Sequence, residues 1–210
     1  MMAGIENLVT SGTFSLDGGT WDVDNNVWIV GNSEECVVID SPHDAAAIIN
    51  QVRGRKVLAI LLTHAHNDHI GAAREVAAAV DAPIYLHPDD LMLWEQVYPG
   101  DRPERELSDG DTFHVAGSTL KAIHTPGHSP GSTCFYLESE GTVFTGDTLF
   151  NGGPGATGGP GATGRSYSDY PTILASIRER LLVLPPETVV RTGHGDDTTI
   201  GAEQKTLAKV

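Results

Sequence analysis

The sequence is poor in positive charge: 13 lysines and arginines stand against 28 acidic residues, giving a formal charge of −15. No basic footprint is left for a phosphate backbone, so nucleic acid is excluded as a main partner. A small anionic molecule remains admissible wherever a bound cation makes the surface locally positive. Cysteine is scarce as well. Cys36 and Cys134 lie in strand-like apolar runs, in neither a redox nor a zinc-ribbon spacing, and are expected to be buried free thiols in a reducing compartment. There is no apolar stretch of membrane length, and Met1 to Asn7 lacks the basic start and apolar core of a leader. The expectation is a cytoplasmic protein without a membrane partner; its oligomeric state stays open.

What is present is enough for one core. A hydrophobic share of 40% over 210 residues suits a globular fold, and a single domain spanning 1–210 is expected. From Leu8 to Ile39, short β-prone runs alternate with turn signals such as Asp17-Gly18-Gly19 and Gly31-Asn32, which reads as a β-meander. Ser41 is placed to cap a helix over 43–52 with Pro42 at its first position, which makes His43 a surface helix residue. Strand and helix then alternate, with Pro83 to Leu86 a strand and Pro88 to Trp94 a short helix, so layers are expected on both faces of a sheet. The polar stretch 99–112 reads as a surface loop before a second β-rich half. A helix from Tyr170 to Leu184 carries Ile173, Leu174, Ile177, Leu181 and Leu184 at helical spacing.

The dense feature is Thr63-His64-Ala65-His66-Asn67-Asp68-His69-Ile70-Gly71, which follows the buried-strand run Val57 to Leu62 and precedes a helix over 72–80. In an extended segment side chains two apart point the same way, so His64 and His66 can grip one cation. Asp68 and His69 are adjacent, and a turn toward the helix lets both face a second. Imidazole suits zinc and iron, and a carboxylate adds a hard anionic ligand. Three more segments offer ligands at strand ends. His128 sits in the Pro/Gly-bounded loop Thr125-Pro126-Gly127-His128, Asp147 follows a strand and Gly146, and His194 stands between Gly193 and Gly195, whose freedom allows unusual backbone angles. His87, His114 and His124 read as structural residues at strand ends and on strand surfaces. A tandem repeat, Gly153-Pro154-Gly155-Ala156-Thr157-Gly158 followed by the same six residues at 159–164, has too little apolar content for a packed element and reads as a loop or flap that shapes substrate entry.

Taken together, His64-Ala65-His66-Asn67-Asp68-His69, Thr125-Pro126-Gly127-His128, Gly146-Asp147-Thr148-Leu149-Phe150 and Gly193-His194-Gly195 resemble the metallo-β-lactamase superfamily along nearly the whole chain. The resemblance implies an α/β fold, an αββα four-layer sandwich. It also implies that His64, His66 and His128 bind one metal, that Asp68, His69 and His194 bind another, and that Asp147 bridges them. The cofactors would be two divalent ions, with zinc favoured and iron or manganese admissible.

Within the superfamily the chain looks most like the glyoxalase II-like hydrolases, through Asp147-Thr148-Leu149-Phe150, Gly164-Arg165, Leu181 to Pro185 and Asp197-Thr198-Thr199-Ile200-Gly201. The implied reaction is hydrolysis of an acyl thioester of a low-molecular-weight thiol by a hydroxide bridging the metals, with Asp68 also orienting that hydroxide. The partner is then a small-molecule thioester. Arg165 would pair with a substrate carboxylate or with Asp169. Two departures from that pattern are expected: a fold without the helical C-terminal domain of full-length glyoxalase II, and a loop after Asp147 enlarged by the repeat. A similar Gly-Pro-Gly-Ala-Thr-Gly-Arg-Ser segment in actinobacterial relatives brings mycothiol in as a candidate thiol. The alternatives are a mononuclear-iron persulfide dioxygenase, a β-lactamase-like hydrolase, and a non-catalytic metal-binding module. True β-lactamases of the superfamily generally lack the bridging aspartate, so Asp147 weighs against that role.

Overall fold

A computed structural model describes residues 3–157 and 166–208; Arg165 and the second copy of the repeat lie outside the described residues. The chain opens with a long hairpin, β1 (Gly4–Leu16) and β2 (Gly19–Gly31), in unbroken register from Gly4 opposite Gly31 to Leu16 opposite Gly19. Asp17 and Gly18 turn it with φ of 51° and 79°, the positive angles that a two-residue hairpin connection needs. The expected run of short strands is therefore one continuous ribbon before β3 (Glu35–Ile39).

Helix α1 (Ala45–Val52) starts later than its sequence signal. Asp44 is its cap, accepting from the Ala47 N–H at 2.9 Å, and His43 stands in a turn with φ of 46°. Ser41 cannot serve as the cap residue because its backbone is engaged elsewhere: its N–H donates to the His69 carbonyl and its carbonyl accepts from Ala72, both at 2.9 Å. His43 is thus not a surface helix residue. β4 (Lys56–Leu61), α2 (Asn67–Ile70), α3 (Ala73–Val80), β5 (Ile84–Leu86), α4 (Leu91–Val97) and β6 (Arg105–Glu106) follow. The first sheet runs β1-β2-β3-β4-β5-β6, antiparallel up to β3 and parallel beyond it. The stretch 99–112 is not all surface loop: β6 pairs with β5, and Leu107 after it is fully buried between the sheets, the one large apolar side chain in that polar run.

The second half carries β7 (Thr112–Val115), β8 (Ser118–His124), β9 (Thr133–Leu137) and β10 (Thr142–Gly146), then a two-stranded hairpin, β11 (Leu149–Phe150) with β12 (Gly153–Pro154). α5 (Tyr170–Ser176) continues into a wider turn at Ile177–Leu181, and β13 (Val189–Thr192), β14 (Thr198–Thr199) and α6 (Ile200–Leu207) end the fold. The second sheet runs β14-β13-β10-β9-β8-β7.

Period-two alternation builds the layers. Along β2 and β3, Val27, Ile29, Cys36 and Val38 face α1, α3 and α4, while Trp28, Val30, Val37 and Ile39 face the other sheet. On the facing strands, Leu120, Ala122, Phe135, Leu137 and Phe144 meet them. Ile123, Cys134 and Val143 turn outward onto Ile173, Ile177, Leu181 and Ile200. Each such fully buried side chain contributes about 1.5–3 kcal/mol relative to exposure. The result is the αββα sandwich that the resemblance implies. Both cysteines are buried and free. No helix among the described residues is long and apolar enough to cross a membrane.

Candidate metal centre

The turns that follow β3, β4, β10 and β13, together with the β8–β9 loop, converge on one end of the sandwich and bring all seven candidate ligands there. His64 Nε2, His66 Nδ1 and His128 Nε2 meet at 3.0 Å from His66 to each of the others. Beside this first triad lies a second, in which His194 Nε2 is 3.2 Å from both His69 Nε2 and Asp68 Oδ2. Asp147 lies between them. Its Oδ1 is 3.2 Å from His69 Nε2, and its Oδ2 is 3.3 Å from His194 Nε2 and 3.6 Å from His128 Nε2.

Four of the five histidines are oriented by an outer hydrogen bond that leaves Nε2 facing inward. His69 Nδ1–H donates to Asp40 Oδ2 at 2.8 Å, His194 Nδ1–H to the Asp24 carbonyl at 2.7 Å, and His128 Nδ1–H to the Ala156 carbonyl at 2.9 Å. Thr63 Oγ1 donates to Asp40 Oδ2, so at 3.1 Å it accepts from His64 Nδ1–H. Fixing the outer nitrogen as donor selects the tautomer whose inner lone pair is free for a metal.

The two triads differ in charge. Burial, reinforced by the neighbouring imidazoles, holds His64 well below the ordinary imidazole value and His66 at about 3; burial also lowers His128. Burial acts the same way on His69 and His194, but there the carboxylates win. Asp147, Asp68 and Asp40 hold His69 well above the ordinary value, and Asp147 and Asp68 push His194 to about 10. Asp68 and Asp147 are lowered despite burial, by His69 and His194. The first triad is a set of neutral lone-pair donors, while the second sets its imidazoles among carboxylates whose negative charge favours a cation there.

These residues fit divalent metal. Asp68 Oδ1 and Asp147 Oδ1 are buried without a hydrogen-bond partner among the described residues, a costly state that a cation would relieve. The mixed N/O donor set suits zinc, iron or manganese. Gly193 matters here for space and not for its backbone angle, since a Cβ on it would come within 2.3 Å of Asp147 Oδ1 and 2.8 Å of the His69 ring.

Several supporting residues carry no sequence motif. Asp40 (φ 61°) also accepts from the Thr63 N–H at 2.8 Å. Asn25 Nδ2 lies 3.2 Å from Asp68 Oδ2, and Asn26 binds the Thr192 and Gly195 carbonyls at 3.1 and 3.0 Å, which clamps the His194 turn to β2. Fully buried Asp90 accepts from the Ala65 N–H, the Ser129 hydroxyl and the Gly131 N–H at 2.6–2.9 Å, tying the His64–His66 turn to the His128 loop. The usable signal for the asparagines is two consecutive polar residues at the entrance to the apolar run Val27 to Val30.

The remaining candidates fall outside the cluster. His114 is exposed on β7 with its ring on Thr119 Oγ1. His87 and His124 stack on each other at 4.0 Å with Asp89 nearby, so His124 is more than a strand-surface residue. The repeat is likewise more than a flap: in its first copy Gly153 and Pro154 form β12, and Ala156 holds His128. A cavity of about 380 Å³ opens over the centre, with Asp68, His128, Asp147 and His194 on its floor and Phe14, Trp21, Val23 and Phe150 in its wall.

Comparison with known proteins agrees with this geometry. The family model of the metallo-beta-lactamase superfamily matches residues 20–194. A hydroxyacylglutathione hydrolase, GloC of Haemophilus influenzae, is 30% identical over 189 residues, covering 83% of this chain and 86% of its own. Two solved structures superpose closely. A B3 metallo-beta-lactamase, BLEG-1, gives a TM-score of 0.76 at 32% identity over 93% of this chain and 97% of its own. TTHA1623 in a di-iron-bound form gives 0.74 at 37% identity over 92% and 97%. On the family match and on the clustered histidines and aspartates, the chain belongs to the metallo-beta-lactamase superfamily, whose members typically bind divalent metals.

Proposed function

We propose that the chain is a dinuclear metal-dependent hydrolase that cleaves acyl thioesters of a low-molecular-weight thiol. The observation that carries this reading is Asp147, a carboxylate within 3.2–3.6 Å of imidazole nitrogens from both triads. His64, His66 and His128 would hold one ion, Asp68, His69 and His194 the other, and Asp147 both. Two ions there would supply Lewis acidity toward a water and a carbonyl oxygen.

The chain's own groups do the rest. Asp68 Oδ1, buried and without a hydrogen-bond partner among the described residues, is placed to accept a proton from an attacking water and to orient it. The apolar wall of Phe14, Trp21, Val23 and Phe150 shields the reacting carbonyl from bulk water and takes the acyl group. A thiolate leaves without help from a protein acid, because an ordinary thiol has a pKa of about 8.5. No protein nucleophile is required. The thioester assignment draws support from the GloC likeness. Zinc is the favoured metal, and the di-iron form of TTHA1623 keeps iron admissible. Arg165 stays a candidate for a substrate carboxylate.

The likeness to a B3 metallo-beta-lactamase favours a second reading, hydrolysis of a β-lactam amide. The test incubates metal-loaded protein with S-acyl and persulfide forms of glutathione and mycothiol, and separately with a chromogenic β-lactam, following thiol release, oxygen uptake and ring opening. Thiol release without oxygen uptake, well above ring opening, is expected. Oxygen uptake dependent on persulfide and on iron would overturn the hydrolase, and dominant ring opening would overturn the thioester. Occupied metal with no turnover on any of these would leave a binding module.

A further inference from the structure

His43 has no role in the site as described, yet three features around it are unusual. Its backbone sits at φ 46°, a left-handed conformation uncommon for a residue other than glycine, although histidine tolerates it better than most. Its ring fills a notch in β1 that exists because residue 12 is glycine: a Cβ there would lie 2.1 Å from His43 Nδ1. Gly12 is not at a turn, and it stays paired within the β1–β2 ribbon opposite Val23. Finally, His43 Nε2–H donates to Asn25 Oδ1 at 2.8 Å.

That last bond decides which way the Asn25 amide faces. With Oδ1 committed to His43, Nδ2 points at the second triad and lies 3.2 Å from Asp68 Oδ2, 3.3 Å from His69 Nε2 and 3.4 Å from His194 Nε2. A ligating carboxylate needs such a donor to fix its rotation, and losing an outer partner of this kind typically weakens a metal site by about 10–100-fold. Without His43 the amide is free to turn over. Oδ1 would then face the Asp68 carboxylate, and acceptor would meet acceptor. The loop from Asp40 to His43 thus holds the second triad by two routes, Asp40 through His69 and His43 through Asn25, and both of these residues take positive φ. Strain of this kind persists where the surroundings over-determine it, and here the surroundings are ligands.

We infer that His43 is a positioning residue of the second metal site, acting through Asn25 on Asp68. The inference rests on the proposed two-metal reading, so its test measures metal binding and not turnover alone. Protein stripped of metal is titrated with cobalt(II) alone, followed by visible absorption and against a competing chelator, for the natural chain, His43→Asn, His43→Gln and Gly12→Ala. Asparagine accepts the left-handed backbone, but its amide stops short of the position of Nε2; glutamine reaches it and keeps the donor. His43→Asn and Gly12→Ala should weaken one of the two cobalt ions by about 10–100-fold with the other unchanged, and His43→Gln should restore most of that loss. Unchanged affinity of both ions in His43→Asn, or equal weakening of both, would overturn the inference while leaving the two-metal reading intact. Should Gly12→Ala unfold the ribbon, the asparagine and glutamine pair decides alone. A natural chain that takes up a single ion would instead remove the two-metal reading itself.

Discussion

The two triads lie side by side in one cavity and are built by opposite means. His64, His66 and His128 are three imidazoles kept neutral by burial and by one another. Asp68, His69 and His194 include a carboxylate, draw on Asp40 and Asp147 from outside, and leave His194 partly exposed. A metal in the first would find lone pairs already free. In the second it would gain the negative charge of the carboxylates. Position is controlled differently too: Asp40 reaches both, through Thr63 to His64 and directly to His69, but Asp90 and the carbonyl of Ala156 brace only the first, and His43, Asn25 and Asn26 only the second. Where the supports are not shared, the two sites should fail separately.

The largest effect tests the one group they share. Asp147→Ala should disturb both triads and depress turnover by more than the ~10–100-fold loss of an outer partner. Elemental analysis should find fewer than two ions per chain, and near-normal activity with full occupancy would remove Asp147 from the centre. Next, His194→Ala should empty the second site and spare the first, which stepwise metal titration resolves; simultaneous loss of both ions would merge what the geometry separates. Asp90→Ala probes the other scaffold. Three buried donors lose their acceptor, so a stability loss on the order of 3 kcal/mol is expected in chemical denaturation, with the first site weakened more than the second. The smallest effect concerns the repeat. Because its copies are identical, removing either six-residue unit gives the same chain, with one unit left to form β12 and meet His128. Loop-closure entropy changes by only ~0.6 kcal/mol per doubling of length, so the melting temperature should hold while KM shifts. A large drop in melting temperature would mean that the second unit also packs.

The strands were legible because Val27 to Val30, Cys36 to Ile39 and Thr133 to Leu137 are short, nearly continuous apolar runs, and the layers because strand and helix patterns alternate after Ile39. The dense turn from His64 to His69 was legible for a related reason, since its spacing carries its geometry. Supports contributed by distant strands were not. Asp40 and Asp90, the latter directly after the exposed Asp89, have side-chain partners 23 or more positions away, and nothing local separates them from solvated acids. His43 misled because Ser41-Pro42 is a sound helix start, overridden by the hydrogen bonds that Ser41 makes to His69 and Ala72. Gly193 was marked for freedom of angle when the decisive quantity was space beside Asp147.

The cavity wall also has an optical consequence. Of the three tryptophans, Trp28 and Trp94 are buried at 6% and 0% exposure, whereas Trp21 is 49% exposed and lines the space above the ligands. A neutral collisional quencher such as acrylamide should therefore reach Trp21 first, and a molecule seated in the cavity should shield it. Intrinsic fluorescence becomes a label-free gauge of occupancy, usable in variants that bind but do not turn over.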